Sequence, residues 1–171
     1  MPKQMVRCVM VTMLLLPAPA SAADTASVIA KFKERDPRVA KAFGSAFGYA
    51  VFPSVGKGAI GVGGAHGKGE VFELGKKVGT TSLTQVTIGF QLGGQAYSEV
   101  VFFKDKTALD DFKRGNFELS AQASAVALNA RASGDLPYNK GVAIATMAKG
   151  GLMYEASVGG QKFSYKPLEK K

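Results

Sequence analysis

The sequence predicts an α+β protein with a curved, mostly antiparallel, glycine-rich β-sheet or barrel-like core, N-terminal helices and one mid-chain helix. Apolar residues recur at helical spacing before residue 48, alternate at strand spacing over much of residues 49–103, and return to helical spacing after residue 104. Fourteen of the 21 glycines lie between Gly44 and Gly94, where they can bend strands strongly. Helices followed by many short strands are typical of an α+β domain.

Residues 1–22 have the three parts of a secretory signal peptide. They carry a positively charged start, an apolar run at residues 9–16 and a small-residue cleavage pattern that ends at Ala22. The apolar run is about half of the ~20 residues that a membrane-spanning helix needs. Cys8 lies before the run and is therefore not placed as the acylated cysteine of a lipoprotein. We expect an exported protein, periplasmic or peripherally membrane-associated, with one domain at residues 23–171.

The charge of the chain is strongly basic. It has 22 lysines and arginines against 13 acidic residues, and loss of the signal peptide leaves a net charge of +7. An exported basic protein meets anionic lipid headgroups rather than nucleic acid, and each cation near such a surface contributes about 1 kcal/mol of attraction. The same charge also serves solubility, so charge alone does not decide between the two roles.

Two short helices are predicted between residues 24 and 47. Asp36 is a typical N-cap and Pro37 suits the first position of a helix, so we expect a bend between the two helices at this point. Gly48 is placed to end the second helix in the left-handed conformation.

The glycine-rich region after Gly48 is predicted to hold short strands. Gly-Lys-Gly turns at residues 56–58 and 67–69 are expected to separate them. The clearest strand alternates apolar with polar or small residues over 86–92. Because Gly93-Gly94 is a turn signal and residues 96–103 form a second strand pattern, we expect a hairpin between these two strands.

A third helix is predicted over residues 104–114, begun by Asp105 or Thr107 and closed by Gly115. Residues 117–132 are rich in alanine and serine and are compatible with strand or helix, of which strand is favoured. The final strands are predicted at residues 142–147, 151–158 and 162–165.

Catalytic and metal-binding patterns find little support in this sequence. His66 is the only histidine, it lies in a predicted glycine turn, and no Gly-x-Ser-x-Gly elbow accompanies it. A zinc site would have one histidine and no cysteine after residue 22. Gly56–Gly61 matches G-x-G-x-x-G without the helix that must come next, and Gly63–Lys68 is one residue short of a phosphate loop. We expect neither an enzyme nor a metal or cofactor.

Four lysines are the candidate binding residues. Lys57 and Lys68 each lie between two glycines, and Lys76 and Lys77 add charge nearby in sequence. Exposed backbone N–H groups of glycine turns, together with mobile ammonium groups, form the kind of site that holds a phosphate. Any one of these lysines is most simply a solvated turn residue, whereas the group favours a lipid headgroup.

Four stretches, in order, resemble the SYLF domain family. The third of them has the pattern F-x-x-G-x-F-x-L-x-A-x-A, and the resemblance as a whole extends over about residues 40–158. The stretches are Gly48-Tyr-Ala-Val-Phe-Pro53 with the two Gly-Lys-Gly segments after it, residues 87–102, residues 112–123, and residues 148–152 with Glu155-Ala-Ser157.

The resemblance implies a non-enzymatic lipid-binding module. Eukaryotic relatives bind phosphoinositides, yeast relatives also bundle actin, and bacterial relatives are exported or lipoprotein-anchored. Actin is not expected as a partner of an exported bacterial protein. Met153-Tyr154 departs from the family pattern, and no lipoprotein cysteine comes after the signal. The expected function is recognition of anionic phospholipid headgroups at a membrane surface; the alternative is an envelope structural or protein-interaction domain that docks a partner protein without direct lipid binding.

Overall fold

The computed structural model describes residues 22–60, 62–88, 95–115, 125–128, 131–149 and 160–169. Within these residues the chain forms three helices and one seven-stranded sheet, so the predicted α+β class is confirmed. The helices are α1 (Ala22–Arg35), α2 (Pro37–Ser45) and α3 (Lys106–Lys113). The strands are β1 (Gly48–Ile60), β2 (Val62–Glu73), β3 (Lys76–Ile88), β4 (Gln95–Phe103), β5 (Val126–Ala127), β6 (Val142–Lys149) and β7 (Gln161–Pro167).

The strands lie in the order β5-β6-β4-β1-β2-β3-β7. Every neighbouring pair is antiparallel except β5 and β6, which are parallel. The order β4-β1-β2-β3 is a Greek key, in which the fourth strand returns to lie beside the first. The predicted hairpin between residues 86–92 and 96–103 is therefore wrong, since β3 pairs with β2 and β7 whereas β4 pairs with β1 and β6.

Aromatic side chains stabilise the place of β4 beside β1. Alternation identifies a strand but not its partner. Phe102 of β4 packs edge-on against Phe43 of α2, with ring centroids 4.9 Å apart, and lies 6.3 Å from the ring of Tyr49 in β1. A place beside β1 gives β4 these aromatic contacts. The predicted Gly93-Gly94 turn lies outside the described residues.

The two Gly-Lys-Gly segments lie inside long strands, and the prediction that they are turns is wrong. A Cβ on Gly67 would lie 2.8 Å from Cγ2 of Val55, and one on Gly69 would lie 2.5 Å from the carbonyl oxygen of Val51. Glycine serves here to let β1 approach β2, not to reverse the chain. The reversal between β2 and β3 occurs at Leu74-Gly75 instead.

The helix ends follow local chemistry closely. Asp36 caps α2, with its Oδ1 accepting a hydrogen bond from the backbone N–H of Arg38 at 2.9 Å. Asp105 caps α3 in the same way, and Gly115 follows that helix with φ of +72°. These predictions are confirmed. The prediction for Gly48 is wrong, because α2 ends at an extended Ala46 and Gly48 opens β1.

The later strands are confirmed where the structure describes them. The strand predicted at 142–147 is β6, and the one predicted at 162–165 is β7. Of residues 117–132, the described strand is Val126–Ala127. The strand predicted at 151–158 lies outside the described residues.

The sheet is strongly curved. β7 and β4 are four strand spacings apart in the sheet order, which would be ~19 Å in a flat sheet. Nevertheless Nε2 of Gln161 in β7 donates to Oε2 of Glu99 in β4 at 3.0 Å, and the ring of Phe163 lies 5.7 Å from that of Phe52 in β1. Side chains on the inner side therefore meet across the curve of the sheet, and the glycine-rich composition predicts such strong curvature.

Each side of the sheet carries its own apolar core. Helix α3 covers the inner side, where the ring of Phe112 lies 4.8 Å from Phe103 and 5.2 Å from Phe163. Helices α1 and α2 cover the outer side through Val28, Phe32 and Val39. Because α1 covers only part of the outer side, polar residues of β1, β2 and β6 remain open beside it.

Candidate functional site: a basic cleft beside the first helix

Helix α1 presents a polar stripe to the outer side of the sheet. Val28 and Phe32 are buried and hold the helix in place. Ser27, Lys31 and Arg35 recur at steps of four residues and therefore lie on one face of the helix, beside the buried positions. Lys31 and Arg35 are both exposed. The helix thus carries two cations along the edge at which it meets the sheet.

The floor of this region is formed by β1 and β2. In β2, Gly67 and Gly69 face inward, so His66 and Lys68, which alternate with them, face outward and are exposed. Lys68 lies opposite Ser54 of β1, next to a register shift in that strand. Lys68 therefore points outward, as alternation with the inward-facing Gly67 and Gly69 requires.

A buried hydroxyl supports the irregular part of β1. The register of β1 shifts against both neighbouring strands in the segment around Pro53. Oγ of Ser98 in β4 donates to the Pro53 carbonyl oxygen at 2.8 Å. Pro53 and Ser54 consequently form part of the cleft wall.

These elements enclose an open cleft of about 870 Å³. Four cations line it: Lys31 and Arg35 from α1, Lys68 from β2 and Lys149 from β6. Val28, Pro53 and Met147 supply apolar surface, and Asp24 is the one carboxylate among the described lining residues. None of the ion pairs recorded between described residues involves any of the four cations.

A second depression of about 460 Å³ continues the cleft across β2 and β3. The two share Pro53, His66 and Lys68. Hydroxyl groups line the second depression, and its carboxylate, Glu70, is paired with Lys77, with Nζ 2.5 Å from Oε1. The hydroxyl-bearing residues at its surface are Thr80, Ser82 and Ser164, whereas the hydroxyl groups of Thr25 and Thr81 are buried, and Lys166 adds a further cation.

The electrostatics of the cleft favour a multiply charged anion. Four ammonium and guanidinium groups face one carboxylate in the main cleft, and all four are exposed enough to reorient. Arginine offers a planar pair of donors to phosphate oxygens, and lysine offers a mobile point charge. With hydroxyl donors beside them, the groups suit a phosphate ester whose neighbouring carbons rest on the apolar part of the wall.

The structure separates the four lysines predicted from the sequence. Lys68 lies at the centre of the cleft. Lys57 lies in β1 opposite Ala65, three residue pairs from Lys68, and its side chain lies outside the described part of the structure. Lys76 is exposed at the start of β3, and Lys77 is paired with Glu70. Among the described lining residues of the cleft, Lys68 is the one member of the predicted group.

Sequence reasoning missed Lys31, Arg35 and Lys149. The spacing of Lys31 and Arg35 on α1 was a usable signal, but its meaning depends on where α1 lies against the sheet. Lys149 lies in the family-like stretch 148–152, but no local pattern marks it as a cation of this cleft, since it ends an apolar strand. Non-local packing brings the three cations together.

His66 and the potential metal ligands are dispersed in the described part of the structure. The exposed His66 has Thr84 Oγ1 as its nearest hydrogen-bonding neighbour, 3.5 Å from Nδ1. No group of three or more histidine, cysteine or acidic side chains comes together within the described residues. None of the helices described there is both long and apolar enough to cross a bilayer.

Comparison with known proteins identifies the family. Residues 84–167 match the family Ysc84, described as "Las17-binding protein actin regulator". The match runs from within β3 to the end of β7 and includes Lys149 of the cleft, while Lys31, Arg35 and Lys68 precede it. The chain is also 31% identical over 144 residues to Beta cell expansion factor A of Aeromonas veronii, which covers 82% of this chain. The chain spans about half, 53%, of that relative. Residues 84–167 of this chain therefore belong to the Ysc84 (SYLF) family, the family that its sequence motifs resemble.

Proposed function

We propose that this chain is an exported, non-enzymatic module that binds anionic phospholipid headgroups in the basic cleft beside α1. One observation carries the proposal. Lys31, Arg35, Lys68 and Lys149 line one open cleft, and no recorded ion pair between described residues neutralises any of them. Cations without a carboxylate partner remain available to an anion from solution.

The magnitude of the electrostatic attraction suits a reversible surface contact. At about 1 kcal/mol for each cation near an anionic membrane, four cations contribute roughly 4 kcal/mol, or about a thousandfold in partitioning. Such an attraction is screened at high salt, because the Debye length falls from ~8 Å at physiological ionic strength to ~3 Å at 1 M. Apolar wall residues such as Met147 add a contribution that salt does not weaken.

The comparisons support a binding role without naming this ligand. The family description refers to binding of Las17 and regulation of actin by the proteins for which it was written. Export rests on the signal-peptide pattern of residues 1–22, of which residues 1–21 lie outside the described part of the chain. The lipid ligand rests on the chemistry of the cleft and on the family resemblance.

The test compares two double variants with the same change of net charge. Lys31→Gln with Lys68→Gln removes two cations from the cleft. Lys33→Gln with Lys41→Gln removes two from other places: Lys33 lies over the Phe43 ring, and Lys41 pairs with Asp135. In co-sedimentation with vesicles of phosphatidylcholine and phosphatidylglycerol, we expect the first variant to lose roughly 30-fold in partitioning and the second less than about fivefold.

Three outcomes separate the possible interpretations. Binding that requires phosphatidylglycerol, fades at high salt and depends on Lys31 and Lys68 supports the proposal. Equal loss in both double variants means that net charge attracts the membrane and the cleft is not the site. Absence of binding to any vesicle overturns the proposal and favours the envelope protein-interaction alternative.

A further inference from the structure

The turn between β2 and β3 contains an unusual residue. Leu74 and Gly75 form the tip of the hairpin, with φ of +48° and +77°. A two-residue tip with positive φ at both positions is the geometry for which Asn-Gly is strongly preferred. A leucine in the left-handed region is disfavoured by its Cβ, and such positions concentrate where function requires them.

Leu74 is also among the most exposed large apolar side chains of the described residues, with 68% of its surface accessible. Its backbone N–H donates to the Phe47 carbonyl oxygen at 2.9 Å, so the tip is fixed to the start of β1. Leu168, which is 45% exposed, lies at the same end of the sheet, where its N–H donates to the Val78 carbonyl oxygen at 3.0 Å. Two exposed leucines therefore project at one end of the sheet.

The two acidic side chains nearest in sequence to this tip are each paired with a lysine. Glu73 is paired with Lys113 at 2.5 Å, and Glu70 is paired with Lys77 at 2.5 Å. Lys76 directly follows the tip, is exposed, and takes part in none of the ion pairs recorded between described residues. An exposed leucine next to an exposed lysine offers an apolar group to the acyl boundary and a cation to anionic headgroups.

We infer that the Leu74–Lys76 tip is a membrane-inserting anchor, with the Leu74 side chain entering the acyl boundary of an anionic bilayer and Lys76 contacting its phosphates. The inference rests on the proposed function, because it assigns a second contact to the same lipid surface. It differs from the cleft in chemistry, since the leucine contributes by burial, which salt does not weaken. The strained leucine is then retained for binding and not for stability.

Leu74→Asn is expected to stabilise the fold and to weaken binding to vesicles. Asparagine tolerates the left-handed turn, so the variant is expected to melt about 2 °C higher than the wild type. Partitioning into phosphatidylglycerol vesicles is expected to fall on the order of fivefold, as the half-burial of one leucine implies. A leucine that served only the fold would lose stability and binding together.

Leu74→Trp reports insertion directly, because the chain contains no tryptophan. We expect its emission to shift to shorter wavelength on vesicles and to be quenched by lipids brominated along the acyl chain. The matched control is Val86→Trp, at a residue 69% exposed in the same hairpin and ~33 Å from the tip along β3. The emission of Val86→Trp is expected to shift less, and to be quenched less, than that of Leu74→Trp.

Each outcome decides the inference. If the wild type binds vesicles while the emission of Leu74→Trp stays unshifted, or while Leu74→Asn binds equally well, the anchor is overturned and the cleft proposal stays intact. A wild type that binds no vesicle overturns both. Loss of binding in Leu74→Asn, together with quenched emission of Leu74→Trp, supports the anchor even where the cleft variants bind as the wild type does.

Discussion

Glu99 is a fully buried carboxyl group on the inner side of the sheet. Its Oε2 accepts a hydrogen bond from Gln161 Nε2, which also lies 3.4 Å from the hydroxyl oxygen of Tyr97. Burial raises the pKa of Glu99 to about 7, although the hydrogen bond from Gln161 acts in the opposite direction. This group is therefore partly protonated at neutral pH, in a core that is otherwise largely apolar.

The raised pKa of Glu99 makes stability depend on pH. Between the ordinary pKa of 4.5 and the folded value of about 7, the folded state keeps a proton that the unfolded state has lost. The free energy of unfolding therefore falls as pH rises through this interval, by roughly 3 kcal/mol in all. Glu99→Gln cannot ionise, and urea unfolding at pH 5 and pH 8 is expected to show this loss in the wild type and not in the variant. An equal loss in both proteins would mean that other titratable groups cause the pH dependence of the unfolding free energy.

At the scale of elements, the cap of α2 joins two helices in a fixed bend. Both oxygens of Asp36 are used: Oδ1 accepts from the backbone N–H and from Nε of Arg38, and Oδ2 accepts from Nη2 at 2.7 Å. Asp36 is fully buried, and this hydrogen bonding raises the pKa of Arg38. The bend places α1 and its cations beside the sheet.

Asp36→Ala is expected to lower the free energy of unfolding by about 2–3 kcal/mol, because it removes the cap and leaves the half-buried Arg38 without this carboxylate. Asp36→Asn keeps an acceptor for the backbone N–H but loses the charge, so an intermediate loss is expected. Urea denaturation measures both. Equal loss for alanine and asparagine would show that the charge, and not the cap, is what matters.

Gly69 tests why glycine occurs in the long strands. Its added Cβ would lie 2.5 Å from the carbonyl oxygen of Val51, so Gly69→Ala is expected to cost about 1–3 kcal/mol in unfolding free energy. Gly56→Ala in β1 is the matched control, since nothing lies within 4 Å of its added Cβ, and a change within about 0.5 kcal/mol is expected. If Gly69→Ala leaves the unfolding free energy unchanged, β1 and β2 can move apart at this point at little cost.

Among these elements, the sequence correctly predicts the helix ends that depend on interactions between residues close in the chain. Asp36, Asp105 and Gly115 act within a few residues of the chain, so the ends that they mark could be predicted. The reason for Gly67 lies across the sheet in Val55, which no local pattern contains, and the turn prediction failed there. The choice of β1 over β3 as partner of β4 is likewise a tertiary effect.

At the scale of the whole molecule, the candidate site was only partly predictable because distant parts of the chain form it. Lys68 was recognised because its glycine neighbours are adjacent in sequence. Lys31, Lys68 and Lys149 come from α1, β2 and β6 and meet at one cleft only after the sheet has formed. Aromatic rings such as those of Phe112 and Phe163 fill the inner side, whereas the basic cleft lies on the outer side, beside α1.

The pairing of β3 with β7 has a consequence for how the polypeptide is made. Gly79 lies opposite Pro167 and Gln85 opposite Gln161, so adjacent strands are separated by a long stretch of the chain. During synthesis β3 emerges long before its partner and presents a row of unpaired N–H and C=O groups, a template for strands of other molecules. Chaperones that bind extended segments are therefore needed most during this interval. A ribosome that stops shortly before Gln161 releases a product whose unpaired β3 edge invites aggregation.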